Sequence, residues 1–240
     1  MECFIVEKDN IDLEKHELVL AGDEAHHAIR PLRIKTGDPL LATDLSGVCY
    51  QCRVERADPG TLTLICSIKE ILPNFGESKR NILLIQGMIA QPSRWEFLLE
   101  KGTELGVTSI QPVTTERTER ESFNRERSER ILRASVKQTK RARIPELREL
   151  SSFGMALSDA IKDGRRILLL HEAADKSSTL SRSTLTTDEA IAVAIGPEGG
   201  FSDSEVEMAS KSGAEIVSLG PRRLRAETAA IAALAILIDQ

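Results

Sequence analysis

The sequence predicts an α/β protein in two parts: a small N-terminal β-barrel over residues 1–72, and a larger domain of alternating strands and helices over 73–240. Three observations carry the prediction. Short runs with period-two alternation crowd the first seventy residues, as in Val48, Tyr50, Cys52 and Val54. The segment Ile71-Leu72-Pro73-Asn74-Phe75-Gly76-Glu77-Ser78 then breaks the pattern with Pro, Asn, Gly and Ser. Beyond it, apolar runs alternate with helical stripes, and two glycine loops each sit between a strand and a helix.

The N-terminal elements follow in order. Phe4-Ile5-Val6 is a short apolar run. His26–Arg33 reads as a short helix interrupting the strands. Thr36-Gly37-Asp38 is a turn that leads into the strand Pro39–Thr43. Asp58-Pro59-Gly60 turns the Val48–Val54 strand into the next, where Leu62, Leu64, Cys66 and Ile68 alternate. Cys49-x-x-Cys52 invites a metal reading, but residues three apart on a strand point to opposite faces. Core packing of the cysteines outweighs zinc, since a free cysteine behaves as a small hydrophobe.

In the second part, Asn81–Ile89 is a near-continuous apolar run, as a strand buried on both faces should be. Ser93-Arg94-Trp95-Glu96 matches a capping box, and Trp95, Leu98, Leu99, Gly102 and Leu105 continue at helical spacing to a closing Gly106. Val107–Val113 is the next strand, and a helix from Ser128 to about Ala142 follows, laced by Glu126–Arg130 and Glu129–Arg133 pairs. Phe153, Ala156, Leu157, Ala160 and Ile161 form another helical stripe, and Ile167–Leu170 a buried strand ending in His171-Glu172.

The last forty-odd residues are the most informative. Ala190–Ile195 is an apolar strand, Gly196-Pro197-Glu198-Gly199-Gly200-Phe201 a loop, and Ser202-Asp203-Ser204-Glu205 a capping box opening a helix. Ile216–Leu219 leads to a second loop, Gly220-Pro221-Arg222-Arg223-Leu224-Arg225, and then to an apolar helix over Ala226–Ile238. Glycines at strand ends let a ligand approach the backbone, and an open α/β sheet places its ligand crevice there. Neither loop is a P-loop or a dinucleotide fingerprint, because Gly-Lys-Ser/Thr and G-x-G spacing are both missing. Glu198 stands where a phosphate site would avoid a carboxylate, so an uncharged or cationic ligand held by backbone groups fits better. Tight turns without a ligand are the competing reading.

These two loops together, Ile195-Gly196-Pro197-Glu198-Gly199-Gly200-Phe201-Ser202 and Leu219-Gly220-Pro221-Arg222 with Leu224-Arg225-Ala226-Glu227-Thr228-Ala229, resemble the C-terminal signature of the RsmE family. These are 16S ribosomal RNA uracil-N3 methyltransferases of the SPOUT class. The resemblance implies a PUA-like RNA-binding barrel, a trefoil-knotted domain with a mostly parallel sheet, and a homodimer with its cofactor site near the interface. S-adenosylmethionine would be held by Gly196, Pro197, Glu198, Gly199, Gly200, Leu219, Gly220, Leu224, Arg225, Thr228 and Ala229, with Leu170, His171 and Glu172 at the end of the preceding strand. Further matching positions are implied to face RNA: Arg30 and Arg33 beside His27, Arg94, Lys101, Arg117, and Gln138 and Arg141 with Lys140 between them. The chain departs from the family at Gln91-Pro92-Ser93-Arg94, where Lys-Gly is usual and Arg94 alone is kept, and at Cys3-Phe4-Ile5, where an arginine is usual.

Composition bounds the rest. A chain of 240 residues, 41% hydrophobic and 29% charged, is ordinary for a soluble globular protein. Only 3% is aromatic, which argues against recognition of bases by an extensive stacking surface. Four cysteines are no disulfide scaffold and no Cys/His cluster has metal-ligand spacing. Met1-Glu2-Cys3-Phe4 is no signal peptide, and Ala229–Ile238 is too short to span a bilayer. The expectation is a cytoplasmic protein without metal or membrane partner. Net charge is −5, yet Thr115–Arg148 carries 11 Lys/Arg against 6 Asp/Glu, a net of +5 on a remainder of −10. Lys137–Arg143, which lacks any acid, is the part expected to face phosphate.

Methylation at uracil N3 requires loss of the N3 proton and stabilisation of the anion. Arg225 is the expected cation, and Glu198 or Glu227 the expected proton acceptor. Other readings are a SPOUT enzyme with another RNA target or atom such as a ribose 2′-oxygen, a non-catalytic dimeric RNA-binding protein, and a small-molecule α/β enzyme. Gly199-Gly200 and Arg225 argue against the second of these, and the basic run against the third.

Overall fold

The computed structural model describes residues 1–172, 174, 178–181 and 189–238. The chain divides into two compact units, 1–77 with 133–144, and 78–132 with 145–240.

The first unit holds strands β1 (Cys3–Ile5), β2 (Ile11–Asp12), β3 (Glu17–Ala21), β4 (Pro39–Thr43), β5 (Val48–Asp58) and β6 (Thr63–Pro73), with helix α1 (Gly22–Ile29) after β3. They form one six-stranded sheet in the order β1-β4-β5-β6-β3-β2, antiparallel except for β1 with β4. The pairings leave an open path, so closure into a barrel is not seen. Period-two alternation in β5 and β6 puts Tyr50, Cys52, Val54, Leu64, Cys66 and Ile68 into one core with Phe4, Leu18 and Leu20. Cys49 goes to the other face with Cys3, Leu41 and Ala142, and all four cysteines are buried and free. The strand β3 escaped the sequence reading because its five residues, with charged and turn-like neighbours, are too short to show a period. β6 also runs through Ile71-Leu72-Pro73, so only the later residues of the expected boundary are a turn.

The second unit contains β7 (Ile82–Gly87), β8 (Ser109–Thr114), β9 (Glu146–Leu147), β10 (Ser151–Ser152), β11 (Arg166–Leu170), β12 (Ile191–Ile195) and β13 (Glu215–Val217). Their order is β10-β8-β7-β12-β11-β13, with β9 also on β8, and each recorded pairing is parallel. β7 and β12 are buried along their whole length, which explains their unbroken apolar runs. The helices are α2 (Pro92–Leu105), α4 (Phe153–Lys162), α5 (Asp203–Lys211) and α6 (Ala226–Leu237). α4 brings Phe153, Ala156, Leu157 and Ala160 onto the sheet, with Phe153 and Phe201 at 4.6 Å between ring centres. α3 (Arg125–Thr139) contributes its first eight residues to this unit and its last seven, 133–139, to the other.

Two local expectations are corrected. The capping box of α2 does not form: Gln91 is the N-cap without a side-chain bond, and Pro92 occupies the first turn, where its missing N–H costs nothing. On α3 the recorded pair at the expected spacing is Arg125–Glu129 at 3.3 Å, while Arg127 reaches across to Glu96 of α2. The C-cap of α2 is as read: Gly106 sits at φ 103°, where a side chain would be strained.

Candidate functional site

A parallel sheet ends all its strands on one edge. In register, Ile195 of β12 lies opposite Gln86 of β7, and Leu170 of β11 opposite Val217 of β13. The segments that leave β11, β12 and β13 therefore emerge side by side. They enclose a crevice of about 400 Å³, within the size range of a small-ligand site.

The first glycine loop forms one wall. Gly200 N–H donates to Pro197 O at 2.9 Å and closes the turn, with Gly200 at φ 71°. The loop lies directly on β7: a Cβ on Gly87 would stand 2.4 Å from Pro197 N, and one on Gly196 2.8 Å from the Gly200 carbonyl carbon. Gln86, fully buried, ties the two segments by donating to Gly87 O at 3.0 Å and Gly196 O at 3.3 Å. Glu198 accepts the Ala90 N–H at 3.1 Å. On the far side, Arg117 donates to Gly199 O at 2.9 Å. Glu205 closes the capping box of α5 by accepting Ser202 N–H at 2.9 Å, and its other oxygen accepts Glu116 N–H at 3.0 Å. Ser204 Oγ donates to Glu116 at 2.7 Å. The turn bearing Arg117 is thus fastened to the start of α5 at two points, and to the glycine loop by Arg117 itself.

The second loop forms the opposite wall. Gly220 takes φ 95°, a backbone state that favours glycine. Arg225 is the N-cap of α6 and makes no side-chain cap bond. Leu170, His171 and Glu172 complete the lining, with His171 N–H held by Val217 O at 2.9 Å. Four arginines, Arg117, Arg222, Arg223 and Arg225, share the lining with Glu172 and Glu198. Glu172 lies 3.6 Å from Arg223, both exposed; Glu198 has no Lys or Arg partner among the described residues.

Most sequence-derived candidates therefore meet in one place: Leu170, His171, Glu172, Gly196, Pro197, Glu198, Gly199, Gly200, Leu219, Gly220, Leu224, Arg225 and Ala229 all line the crevice. Thr228 does not; it is exposed on α6, where helical periodicity turns it from the face shared by Arg225, Ala226 and Ala229. Glu227 is also outside the lining. It is buried, with one oxygen 3.6 Å from Arg94 Nε and the other without a hydrogen-bond partner among the described residues. Arg117, expected at RNA, lines the crevice and supports Gly199. Ile195, Phe201, Ser218, Arg222, Arg223 and Ala226 also line the crevice without being among the expected cofactor residues, though each lies within two residues of one. Arg117 lies some eighty residues away, and no spacing signal could have placed it.

The other RNA candidates separate by burial. Arg30, Arg33, Gln138 and Lys140 are exposed in the first unit. Lys140 sits at φ 59° as the left-handed residue ending α3, with Arg141 N–H returning to Val136 O at 3.1 Å. Arg141 is the correction: its side chain is 2% exposed and pairs with Glu77 at 2.6 Å, so it cannot meet phosphate. Lys137 is likewise paired, with Glu24 at 2.7 Å. Of the acid-free run, Lys140 and Arg143 remain exposed. Lys101 is engaged by Glu100 at 2.8 Å and Glu104 at 2.6 Å, and Arg94 faces Glu227. These carboxylates, adjacent in sequence, one helical turn away or far along the chain, hold cations that the sequence alone leaves unpaired.

Comparison with known proteins places this geometry. The family described as an RNA methyltransferase domain matches residues 76–238. The ribosomal RNA small subunit methyltransferase E of Synechocystis is 31% identical over 91% of the chain and 71% of the relative, and that of Rickettsia conorii 30% identical over 92% and 89%. A crystal structure of the enzyme of that name from Neisseria gonorrhoeae, bound to S-adenosyl methionine, superposes with a TM-score of 0.81 at 27% identity, covering 98% of this chain and 95% of that one.

Proposed function

The chain belongs to the ribosomal RNA small subunit methyltransferase E family, an RNA methyltransferase family, and from that premise we propose that it transfers a methyl group from S-adenosylmethionine to N3 of a uridine in 16S ribosomal RNA. The observation that carries this reading is the meeting of both glycine loops in one crevice at the carboxyl edge of the parallel sheet.

The crevice suits that cofactor. Leu170, Leu219 and Leu224 offer an apolar surface to a purine, and loop backbone at Gly199, Gly200 and Gly220 offers hydrogen-bonding groups without side chains in the way. Among the described residues, nothing lies within 4 Å of where a Cβ would stand on Gly200 or Gly220. Glu172 and Glu198 complement a sulfonium and an α-ammonium, and the arginines a carboxylate. When bound, S-adenosylmethionine supplies an electrophilic methyl group on sulfur.

The chain's own residues must position the acceptor and manage its proton. Arg225 projects from the N-cap of α6 into the lining, where a guanidinium stabilises charge developing on a uracil oxygen. Glu198, on the wall and without a Lys or Arg partner among the described residues, accepts the N3 proton; the burial of Glu227 behind Arg94 removes it from that role. Arg117 and Glu205 hold the first loop in register and act as positioning residues.

The first unit, with residues 1–72 as its sequence core, serves as a PUA-like RNA-binding domain, supported by exposed Arg30, Arg33 and Lys140. The second is a knotted SPOUT domain, and a strand order of β8-β7-β12-β11-β13 with its non-consecutive neighbours supports that. α6, apolar nearly all round and with Ile231 and Ile236 only half-buried, supports a homodimer. No described helix is long and apolar enough to cross a membrane, and the proposed setting is the cytoplasm, on the small ribosomal subunit or its RNA. Nucleoside mass spectrometry of 16S RNA incubated with protein and cofactor tests the reaction. N3-methyluridine is the expected product; a ribose-methylated nucleoside would reassign the acceptor atom.

A further inference from the structure

The second unit contains another cavity, of about 410 Å³, that none of the roles above uses. Its floor is apolar: Met88, Ile89 and Trp95 are each at most 3% exposed. Phe123 stands against Trp95 at 5.5 Å between ring centres, tilted by 51°, and is only half-buried, so ring surface remains toward the cavity. The chain's single tryptophan is anchored here by its indole N–H on Ser128 at 3.1 Å. Ser93 and Ser122 add exposed hydroxyls to the lining. Arg120, also in the lining, meets the Ala90 carbonyl at 3.4 Å and no carboxylate among the described residues. Arg125 stacks its guanidinium over Phe123 at 5.6 Å.

Position strengthens the chemistry. The cavity begins at Met88, immediately beyond β7, on the same carboxyl edge of the sheet as the crevice. The two share the Ala90 backbone: its N–H donates to Glu198 of the crevice, and its carbonyl accepts from Arg120 of the cavity. A partly apolar slot lined by hydroxyls, by Arg120 and by a Glu96 carboxylate already neutralised by Arg127 matches an unpaired nucleobase and its phosphate. An acidic or purely aliphatic occupant would leave part of that lining unused.

We propose that this cavity binds one unpaired nucleobase of the RNA substrate, next to the methylated uridine, against Phe123 with its phosphate toward Arg120. The inference rests on the methyltransferase reading for the identity of the RNA, but its test does not depend on turnover. The probe is a 16S RNA fragment carrying 4-thiouridine, photo-crosslinked to the full chain with S-adenosylmethionine present, with adducts located by peptide mass spectrometry. Adducts on Phe123 or the flanking Ser122 and Asn124 are expected. The Ser122→Trp variant, which fills the slot from an exposed position, should lose them and bind the fragment about 10-fold more weakly, the worth of one stacked base. Its affinity for S-adenosylmethionine and its melting temperature should stay unchanged. Arg120→Gln gives a second variant that leaves the slot open, with weaker binding and a smaller salt dependence expected. Adducts confined to other segments, or unaltered RNA affinity in both variants, would overturn the proposal while leaving methyl transfer by the wild type intact. A change in dimerisation in place of RNA affinity would also overturn it, assigning the slot to a second copy of the chain. Crosslinking at the slot without methyl transfer would support it and remove the proposed reaction instead.

Discussion

Glu205 accepts the backbone N–H of Glu116 at 3.0 Å, joining the first turn of α5 to a loop 89 residues earlier. The same carboxylate accepts Ser202 N–H, so one side chain both caps the helix and anchors the loop from which Arg117 reaches Gly199.

Breaking that anchor should loosen the cofactor wall. Glu205→Ala removes the capping-box partner of Ser202 and strands the Glu116 N–H, a loss of about 1–3 kcal/mol for an unsatisfied donor. Arg117→Ala removes one hydrogen bond to Gly199 O and should cost little stability. Both should raise the KM for S-adenosylmethionine with kcat less affected, and only the first should lower the melting temperature. A fall in kcat alone for Arg117→Ala would assign it to the reacting centre instead.

Gly87 tests how closely the first loop lies on β7. Its Cβ would stand 2.4 Å from Pro197 N, a backbone atom that cannot swing aside. Gly87→Ala should cost about 1–3 kcal/mol by overpacking and weaken cofactor binding measured by calorimetry. Gly213→Ala, with nothing within 4 Å of its Cβ but φ 90°, is the comparison: strain without loop displacement. It should destabilise yet spare cofactor affinity.

Arg225 and Glu198 are the proposed reacting pair. Arg225→Ala should lower kcat about 10²–10³-fold, the scale for one charge-stabilising donor, with cofactor affinity largely kept. Glu198→Gln keeps an oxygen for Ala90 N–H and loses basicity, so kcat should fall about 10²-fold or more. Glu227→Gln should leave kcat nearly unchanged. Equal losses of kcat and cofactor affinity in Arg225→Ala would be inconsistent with its role.

Arg141 and Lys140 are neighbours with opposite expected behaviour. Arg141→Ala strands Glu77 in the interior and should cost about 3–5 kcal/mol by denaturant titration. Lys140→Ala should leave stability within about 0.5 kcal/mol and reduce the salt slope of RNA binding by about one. Its left-handed φ of 59° makes Lys140→Gly a further check, stabilising if anything.

Burial raises the thiol pKa from 9.0 to about 12 at Cys3, Cys52 and Cys66, and to about 11 at Cys49. A raised folded value means that the native state keeps protons the unfolded state releases. Stability is therefore fully present below pH 9 and declines as pH rises toward 12. Native protein at pH 8 should resist thiol alkylation that proceeds readily in denaturant. Rapid labelling of folded protein would contradict the burial of all four.

The sequence by itself determined the elements whose signals are local. Unbroken apolar runs marked β7 and β12 because strands covered on both faces show no alternation. The Ser202–Glu205 box and Gly106 marked helix ends through bonds within a few residues. The two glycine loops were legible because each stands between a strand and a helix, and parallel strands must release their loops at one edge. Tertiary structure decided what depends on partners far along the chain. Arg117 became part of the crevice because Glu205 draws its loop there, and Arg141 became buried because Glu77 receives it. Glu227 was set behind Arg94 while Arg225, two residues earlier, faces the crevice. Charge and hydrogen-bonding capacity are written in each residue, but which partner satisfies them is a matter of distance in space, and that distance exists only once the chain has folded.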